Sequence, residues 1–572
     1  MFKLKFFQKY INISDLVDSK FRVSFFILVL LILVSTIFET LSLGLFIPVI
    51  NTIFDPEFLN EISKKLNINF INSISKEYYF IVVLGLLLIC YFLKFIYLIF
   101  FNIYKNTLLF KFNAFISNKL LEIYISNNYS FFLEHNKSKL LRNIITETSS
   151  FTSRAINARI QLLADILLII FFLIFLIFIE PIATILVFLF FISVSTVFYI
   201  NAKKKLKNWG EERFRHEGLK FQFIEEIFNG IKEIKIFNNE LFFLTKFVKS
   251  NNKTNLYSKN EAILGSLPRI GLELLSMVSF ALLCTIMFFQ EKEIKHIIIV
   301  LGIFAISAFR LLPCVNSILS SLQKIKFGEI SIKTLMKEFK LNLQSNIKSL
   351  NKKKYKLKSK IEFKNVSFKY NKSSKFSISN LNFVIKKNEI KGIFGKSGAG
   401  KSTTLDLLAG LIIPTKGEIL VDKININTLD KEWINSISYV SQSIFLLNDT
   451  IKNNIALGSE KEKIDSSLLN ICIKQSNLSD LINRLNQGIE TIIGGEGIRL
   501  SGGEIQRLGI ARALYKKSDI LILDEATSAL DFENEQIFLN TIKKLKKEKT
   551  IIIVSHKKSS LDICDEVIEI KS

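Results

Sequence analysis

At 572 residues the chain is longer than one compact domain usually holds. Apolar residues make up 49% of it, yet Lys and Arg outnumber Asp and Glu by 76 to 51, a pairing that points to a membrane protein with a basic cytoplasmic side. The net charge of +25 does not argue for nucleic-acid binding, because the basic surplus follows apolar segments instead of forming one basic, aromatic-studded face.

Six segments are apolar enough to cross a bilayer, which takes about 20 residues. They run over Val23–Ile50, Tyr78–Tyr104, Ile160–Ile179, Ile182–Ile200, Leu267–Gln290 and Ile297–Leu319. The first is too long for the core of a signal peptide and has no small-residue cleavage site after it, so it reads as a retained anchor. Glu180-Pro181 separates the third and fourth as a tight hairpin, with Pro181 suited to the first turn of the next helix. Lys3, Lys5 and Lys9 precede the first span, and Lys203, Lys204, Lys205 and Lys207 follow the fourth. The opposite connections are short or carry Glu180, Glu291 and Glu293, so both termini are expected on the cytoplasmic side.

Two cytoplasmic connections, roughly 105–159 and 201–266, are long and helix-like, with turns expected around Tyr129–His135 and Phe228–Ile231. Asn51–Lys76 lies outside; Phe58, Ile62, Leu66 and Phe70 give it an amphipathic face that suits either the membrane surface or packing on neighbouring helices. The expected organisation is an α-helical polytopic membrane domain over 1–335, a Lys/Asn/Ser-rich linker over 336–358 and an α/β domain of the P-loop NTPase type over 359–572. The five cysteines are scattered without a CxxC pair, which disfavours a zinc site or a disulfide framework.

The chemistry lies in the last part. Gly395, Lys396, Ser397, Gly398, Ala399, Gly400, Lys401, Ser402 and Thr403 follow an apolar strand and open a helix, the context a phosphate-binding loop requires. Its glycines let backbone N–H groups turn inward around phosphates, and the helix N-terminus adds a positive field. Lys401 supplies a point charge, and Ser402 offers a hydroxyl to Mg²⁺. The apolar strand Ile520–Leu523 then delivers Asp524 and Glu525 at its tip, the first to hold Mg²⁺ and the second to orient and deprotonate water.

Leu500-Ser501-Gly502-Gly503-Glu504, ahead of Gln506-Arg507, completes an ordered set of motifs that resembles the ATP-binding-cassette transporters, specifically the exporter-type half-transporters. That resemblance covers the whole chain. It implies that Ser501 and Gly503 bind ATP held by the opposite subunit of a homodimer, that Gln442 touches Mg²⁺, and that Tyr370 stacks on adenine. It further implies that Ser528-Ala529-Leu530-Asp531 crosses the dimer interface and that His556 bonds the γ-phosphate. Glu504 departs from the family, whose signature usually ends in Gln; the change puts a carboxylate near the phosphates.

Charges in or beside spans are costly and mark function or pairing. Lys94, Arg269 and Arg310 lie on three spans and could line a cavity for an anion such as a pyrophosphate; snorkelling, or pairing of Arg269 with Glu273, is the competing reading. Phe38-Glu39-Thr40, the external helix, Pro268-Arg269-Ile270 and Arg310-Leu311-Leu312-Pro313 resemble the bacterial flippases for undecaprenyl-pyrophosphate-linked oligosaccharides of protein glycosylation. The resemblance implies an inner-membrane protein that flips a polyprenyl-pyrophosphate glycolipid. Export of another lipid, of the lipid A type, or of a peptide or drug stands as the alternative.

Overall fold

The computed structural model describes residues 19–46, 48–49, 76–179, 181–289, 294–340, 353–370, 376–429, 431–495, 497–527 and 530–570. The expected external helix falls, all but its last residue, outside this range, as do Ser528 and Ala529. The chain divides into two compact units, 1–127 with 134–345, and 128–133 with 346–572.

The first unit is helical. Its elements are α1 (Ser19–Gly44), α2 (Lys76–Ser126), α3 (Tyr129–Glu134), α4 (Lys137–Arg142), α5 (Ala158–Ile177), α6 (Pro181–Asn229), α7 (Ile231–Ile236), α8 (Glu240–Phe289), α9 (Ile294–Phe327) and α10 (Glu329–Lys340), although α3, save its last residue, groups with the second unit. Among the described residues six helices are long and apolar enough to span a bilayer. At about 1.5 Å per residue the 51 residues of α2 extend roughly 75 Å, far more than the ~30 Å of hydrocarbon, so the span continues as a helix well into water. The same holds for α6 and α8, which explains why the two connections carry helical patterns with polar faces. Between α4 and α5 the helix widens into π turns at Asn143–Glu147 and Phe151–Asn157, which the sequence pattern did not suggest.

These helices are apolar on the outside. Phe92, Phe95, Phe178 and Phe309 are all more than 60% exposed, whereas Glu39 and Lys94 are buried and joined Nζ to Oε2 at 2.6 Å. A second buried set sits in the helical extensions: Glu147, fully buried, lies 4.0 Å from Arg142 and 3.7 Å from Arg213, and Arg213 reaches Glu217 at 3.2 Å. Beside this cluster α6 comes close to the end of α9, with the Arg213 guanidinium 5.7 Å from the Phe327 ring centre. A Cβ on Gly210 would meet the Phe327 carbonyl oxygen at 2.1 Å, so only glycine fits there.

The second unit holds two sheets. The antiparallel one runs β2-β1-β4-β5, from β1 (Lys360–Phe368), β2 (Ile378–Lys386), β4 (Lys416–Val421) and β5 (Ile424–Asn425). The parallel one runs β11-β3-β10-β9-β6, from β3 (Ile390–Phe394), β6 (Ile437–Val440), β9 (Ile520–Asp524), β10 (Thr550–Val554) and β11 (Glu566–Glu569). A short ribbon pairs β7 (Asp449–Thr450) with β8 (Ile492–Ile493). Strands β9 and β10 are buried throughout, as apolar runs covered on both faces must be. At the entry to the unit Asp422 accepts from the N–H groups of Lys358, Ser359 and Lys360. Burial works against its ionisation, yet these bonds and the Ser359 hydroxyl hold its pKa down to about 2.

Replacing one partner of a buried ion pair leaves the other charge without compensation, at a cost of about 3–5 kcal/mol, whereas replacing both is near neutral. Glu39→Leu should therefore lower the thermal unfolding midpoint of the full chain in detergent, and adding Lys94→Met should restore most of it. A single variant as stable as the parent would show that the pair is not structural.

Candidate functional site

The parallel sheet brings four loops to one edge, because β3, β6, β9 and β10 end side by side. The loop after β3 opens α11 (Lys401–Leu408). Gly400 takes φ +95°, and a Cβ on it would lie 2.7 Å from the Ser377 carbonyl oxygen; Gly398 takes φ +82°. Both conformations are open to glycine and costly for other residues. Gly395 is close-packed, 2.7 Å from the Ile570 oxygen by the same measure, while Ser397 is exposed on the outer turn. Lys401 is buried inside the loop, its Nζ donating to the carbonyls of Gly395 at 2.9 Å and Lys396 at 3.1 Å. One residue on, Ser402 is exposed; Thr403 Oγ1 lies 3.1 Å from the Tyr370 hydroxyl, whose ring meets Phe368 edge-on.

Asp524, at the tip of β9, is buried, and its Oδ2 accepts from the Tyr439 hydroxyl at 2.9 Å. Burial pushes its carboxyl above the usual range, with Glu525 adding to the effect. Glu525 follows at φ +51°, a left-handed conformation that costs a side-chain-bearing residue about 1–3 kcal/mol and here turns its carboxylate across the site. Gln442 Nε2 donates to Glu525 Oε2 at 2.7 Å, and His556 Nε2 lies 3.0 Å from Glu525 Oε1. The fold thus gathers Lys401, Asp524, Glu525, Gln442 and His556, which the sequence spreads over 156 residues, into one cluster (401 to 556).

Ser501 is the N-cap of α12 (Gly502–Tyr515), and Glu504 closes a capping box with it: Glu504 N donates to Ser501 Oγ at 3.3 Å, and Ser501 N to Glu504 Oε2 at 2.8 Å. Arg484 Nη2 holds the other carboxylate oxygen at 3.0 Å. Burial opposes charge on Glu504, but the bonds to Ser501 and the nearby Arg484 and Arg507 keep its carboxyl below the ordinary value. Glutamine would make the same cap. The carboxylate at this position therefore faces its own helix start, and Gly503 stands beside it in the first turn.

The three candidate substrate residues are not joined by the contacts described. Lys94 is buried against Glu39 and Ser42, with its ammonium 4.9 Å from the Tyr91 ring centre. Arg269 is exposed and pairs with Glu273 at 3.4 Å, one turn on. Arg310 lies in α9, and its side chain is outside the described residues.

Several polar groups of these sites escaped the sequence reading. Tyr439 carries no motif; only its place two residues before Ser441, on the strand that ends at the site, hints at its bond to Asp524. Asp406 on α11 titrates at about 6, raised by burial and then by Asp524. Asp165, buried in the third span, accepts from Gln161 Nε2 at 3.0 Å, and a carboxylate in so apolar a run was a readable signal. Arg142, Glu147 and Arg213 look in sequence like ordinary charges of solvated helices.

A carboxyl whose pKa is raised on folding opposes the folded state once the unfolded chain ionises. For Asp406 the penalty is absent below pH 4, grows from there to pH 6 and is complete above it. Asp406→Asn should stabilise the second unit by roughly 1 kcal/mol above pH 6, after allowance for solvent screening, and by nothing below pH 4. Unfolding followed by the fluorescence of Trp433, buried in that unit, in a Trp209→Phe background would show it. A pH-independent gain would assign the effect to packing.

Comparison with known proteins bears on these geometries. A model of the ABC transporter transmembrane region matches residues 21–309, and a model of the ABC transporter family matches 378–528. The ATP-dependent lipid A-core flippase of Burkholderia orbicola (strain AU 1054) is 27% identical over 452 residues, 78% of this chain and 75% of that protein. That of Pasteurella multocida (strain Pm70) is 40% identical over 212 residues, 37% and 36% of the two chains. Alpha-hemolysin translocation ATP-binding protein HlyB of Escherichia coli O157:H7 is 40% identical over 209 residues, 36% and 29%. Among solved structures, a bacterial Atm1-family ABC exporter with ATP bound superposes with a TM-score of 0.78 over 96% of this chain and 93% of that one, at 19% identity, a likeness of fold. With six spans, the phosphate loop and the LSGGE cap in family order, the chain belongs to the ABC transporters, as an exporter-type half-transporter that couples ATP hydrolysis to transport.

Proposed function

We propose that two copies of this chain form a homodimeric flippase of the bacterial inner membrane that moves a phosphate-bearing lipid outward, of the lipid A-core type. The cargo assignment is supported above all by the lipid A-core flippases, similar over 78% of the chain. The comparisons lend the undecaprenyl-pyrophosphate oligosaccharide no such support, so it becomes the second cargo to test. Cytoplasmic termini follow from Lys203, Lys204, Lys205 and Lys207 after the fourth span.

In this reading ATP lies on the loop of Gly395, Ser397, Gly398 and Gly400, with Lys401 and Thr403 at its phosphates and Tyr370 at its base. Ser501 and Gly503 of the second copy close over the γ-phosphate. The oxygen donors of Ser402, Asp524 and Gln442 suit a hard cation, and Mg²⁺ would be held by them; it supplies neutralisation of the phosphate charge. Glu525 takes the proton of the attacking water, while Gln442 and His556, bonded to its two oxygens, hold the carboxylate in line.

Glu525→Gln should reduce steady-state hydrolysis about 100-fold or more while ATP binding is kept. Full hydrolysis in that variant would remove Glu525 from the base role. For the cargo, proteoliposomes should receive fluorescent lipid A-core or fluorescent polyprenyl-pyrophosphate oligosaccharide, with sidedness read by quenching. ATP-dependent movement of the first lipid supports the proposal, movement of the second alone replaces the cargo, and movement of neither refutes a lipid cargo.

A further inference from the structure

Strands β9 and β10 pair in parallel, with Asp524 opposite Val554, so the loops that carry Glu525 and His556 leave the sheet side by side. Glu525 N donates to the Val554 carbonyl at 2.9 Å, which fixes the start of the first loop. His556 has less to hold it. Its side chain is 45% exposed, and its contact with Glu525 at 3.0 Å lasts only while the backbone beneath it stays in place. The residues that follow, Lys557 and the helical turn Lys558–Leu561, supply that hold.

Glu535 lies in the first turn of α13 (Phe532–Leu545), whose N-cap Asp531 accepts from the Asn534 N–H. It is 3% exposed, and both of its carboxylate oxygens are bonded to the segment that follows His556. Oε1 accepts from Ser560 Oγ at 2.6 Å, and Oε2 accepts from Lys557 Nζ at 3.2 Å. Lys557 Nζ also donates at 3.2 Å to the carbonyl of Thr527, two residues beyond Glu525. Because Ser560 gives its proton to Glu535, its oxygen accepts from Thr527 Oγ1 at 3.0 Å. Glu535, Lys557, Thr527 and Ser560 thus close a ring that joins both loops to one helix, and Thr527 and Ser560 are buried in it.

A carboxylate buried this deeply is costly unless its oxygens are bonded, and bonds to an ionised group are of the stronger, charge-assisted kind. One bond would leave the loop free to pivot. Two bonds, to the residue just after His556 and to one four residues after it, fix both its distance and its tilt. We infer that Glu535 is a positioning residue for ATP hydrolysis. Through Lys557 and Ser560 it holds the His556 loop in register with Thr527, and so keeps the imidazole on the Glu525 carboxylate. The inference rests on the reading of Glu525 as the base and of His556 as a group that holds it in line.

The test uses the full-length protein in lipid vesicles. Glu535→Ala should lower kcat about tenfold or more, within the roughly 100-fold that a 1 Å misplacement can cost. KM for ATP should stay within about twofold of the parent, as for an interaction felt only in the transition state. Glu535→Gln keeps both arms, its amide oxygen accepting from Lys557 and its amide N–H donating to Ser560, and should recover most of the parent kcat. In a His556→Ala background, Glu535→Ala should cost less than about twofold more, because residues that act through one contact are not additive. If Glu535→Ala does not elute as a folded protein, Lys557→Met cuts one arm at a half-exposed side chain and should show a fall in kcat at unchanged KM. Parent kcat in Glu535→Ala, a loss that Glu535→Gln does not recover, or the full further loss in His556→Ala overturns the positioning role. Glu525→Gln and His556→Ala, measured alongside, separate the two readings. Parent turnover in either sinks the arrangement around the base and the positioning role with it; loss in both, with parent turnover in Glu535→Ala, sinks the positioning role alone.

Discussion

Parallel pairing of β3, β10, β9 and β6 is the constraint on which the cluster around Glu525 depends. Parallel strands end at the same edge, so the loops that follow them emerge together whatever their distance in sequence. That edge receives the phosphate loop, Gln442, the Asp524-Glu525 tip and His556. The antiparallel sheet and the linker tie at Asp422 add breadth and an anchor, and from that side Tyr370 reaches Thr403 and Ser377 packs on Gly400.

Within the cluster, Glu525 is the point where backbone and chemistry meet. Its left-handed backbone departs from the strand that carries Asp524, so two adjacent carboxylates face different partners. Asp524 is buried with Tyr439, and Glu525 spans Gln442 and His556. A pair of neighbouring acids in an ordinary extended strand would instead point to opposite faces of the sheet. The left-handed backbone at one residue thus gives two adjacent carboxylates separate surroundings.

The membrane part obeys the opposite solvent logic. Large apolar side chains face outward, while Lys94 and Glu39 are buried against each other, and in the helical extensions Glu147 is buried between Arg142 and Arg213. Such pairs contribute little net stability, yet they resist separation strongly, which suits helices that shift as packed blocks instead of deforming residue by residue.

The six spans, the phosphate loop, the Asp524-Glu525 tip and the LSGGE segment were all legible in the residues themselves. Each depends on local rules: an apolar run long enough for the bilayer, glycines at left-handed positions, a helix N-terminus beside them, an apolar strand ending in acids. What pairs with what was not legible. Lys94 read as a cation that lines a cavity or snorkels from a span, and it is buried against Glu39, 55 residues earlier. Glu504 read as a departure from the family signature, and its carboxylate closes the cap of its own helix. Tyr439 and the Arg142–Glu147–Arg213 cluster left no motif at all. Side-chain partners are set by helix packing and strand order, which join residues far apart in the chain; residue type and spacing determine the elements, and only tertiary structure decides which charges meet.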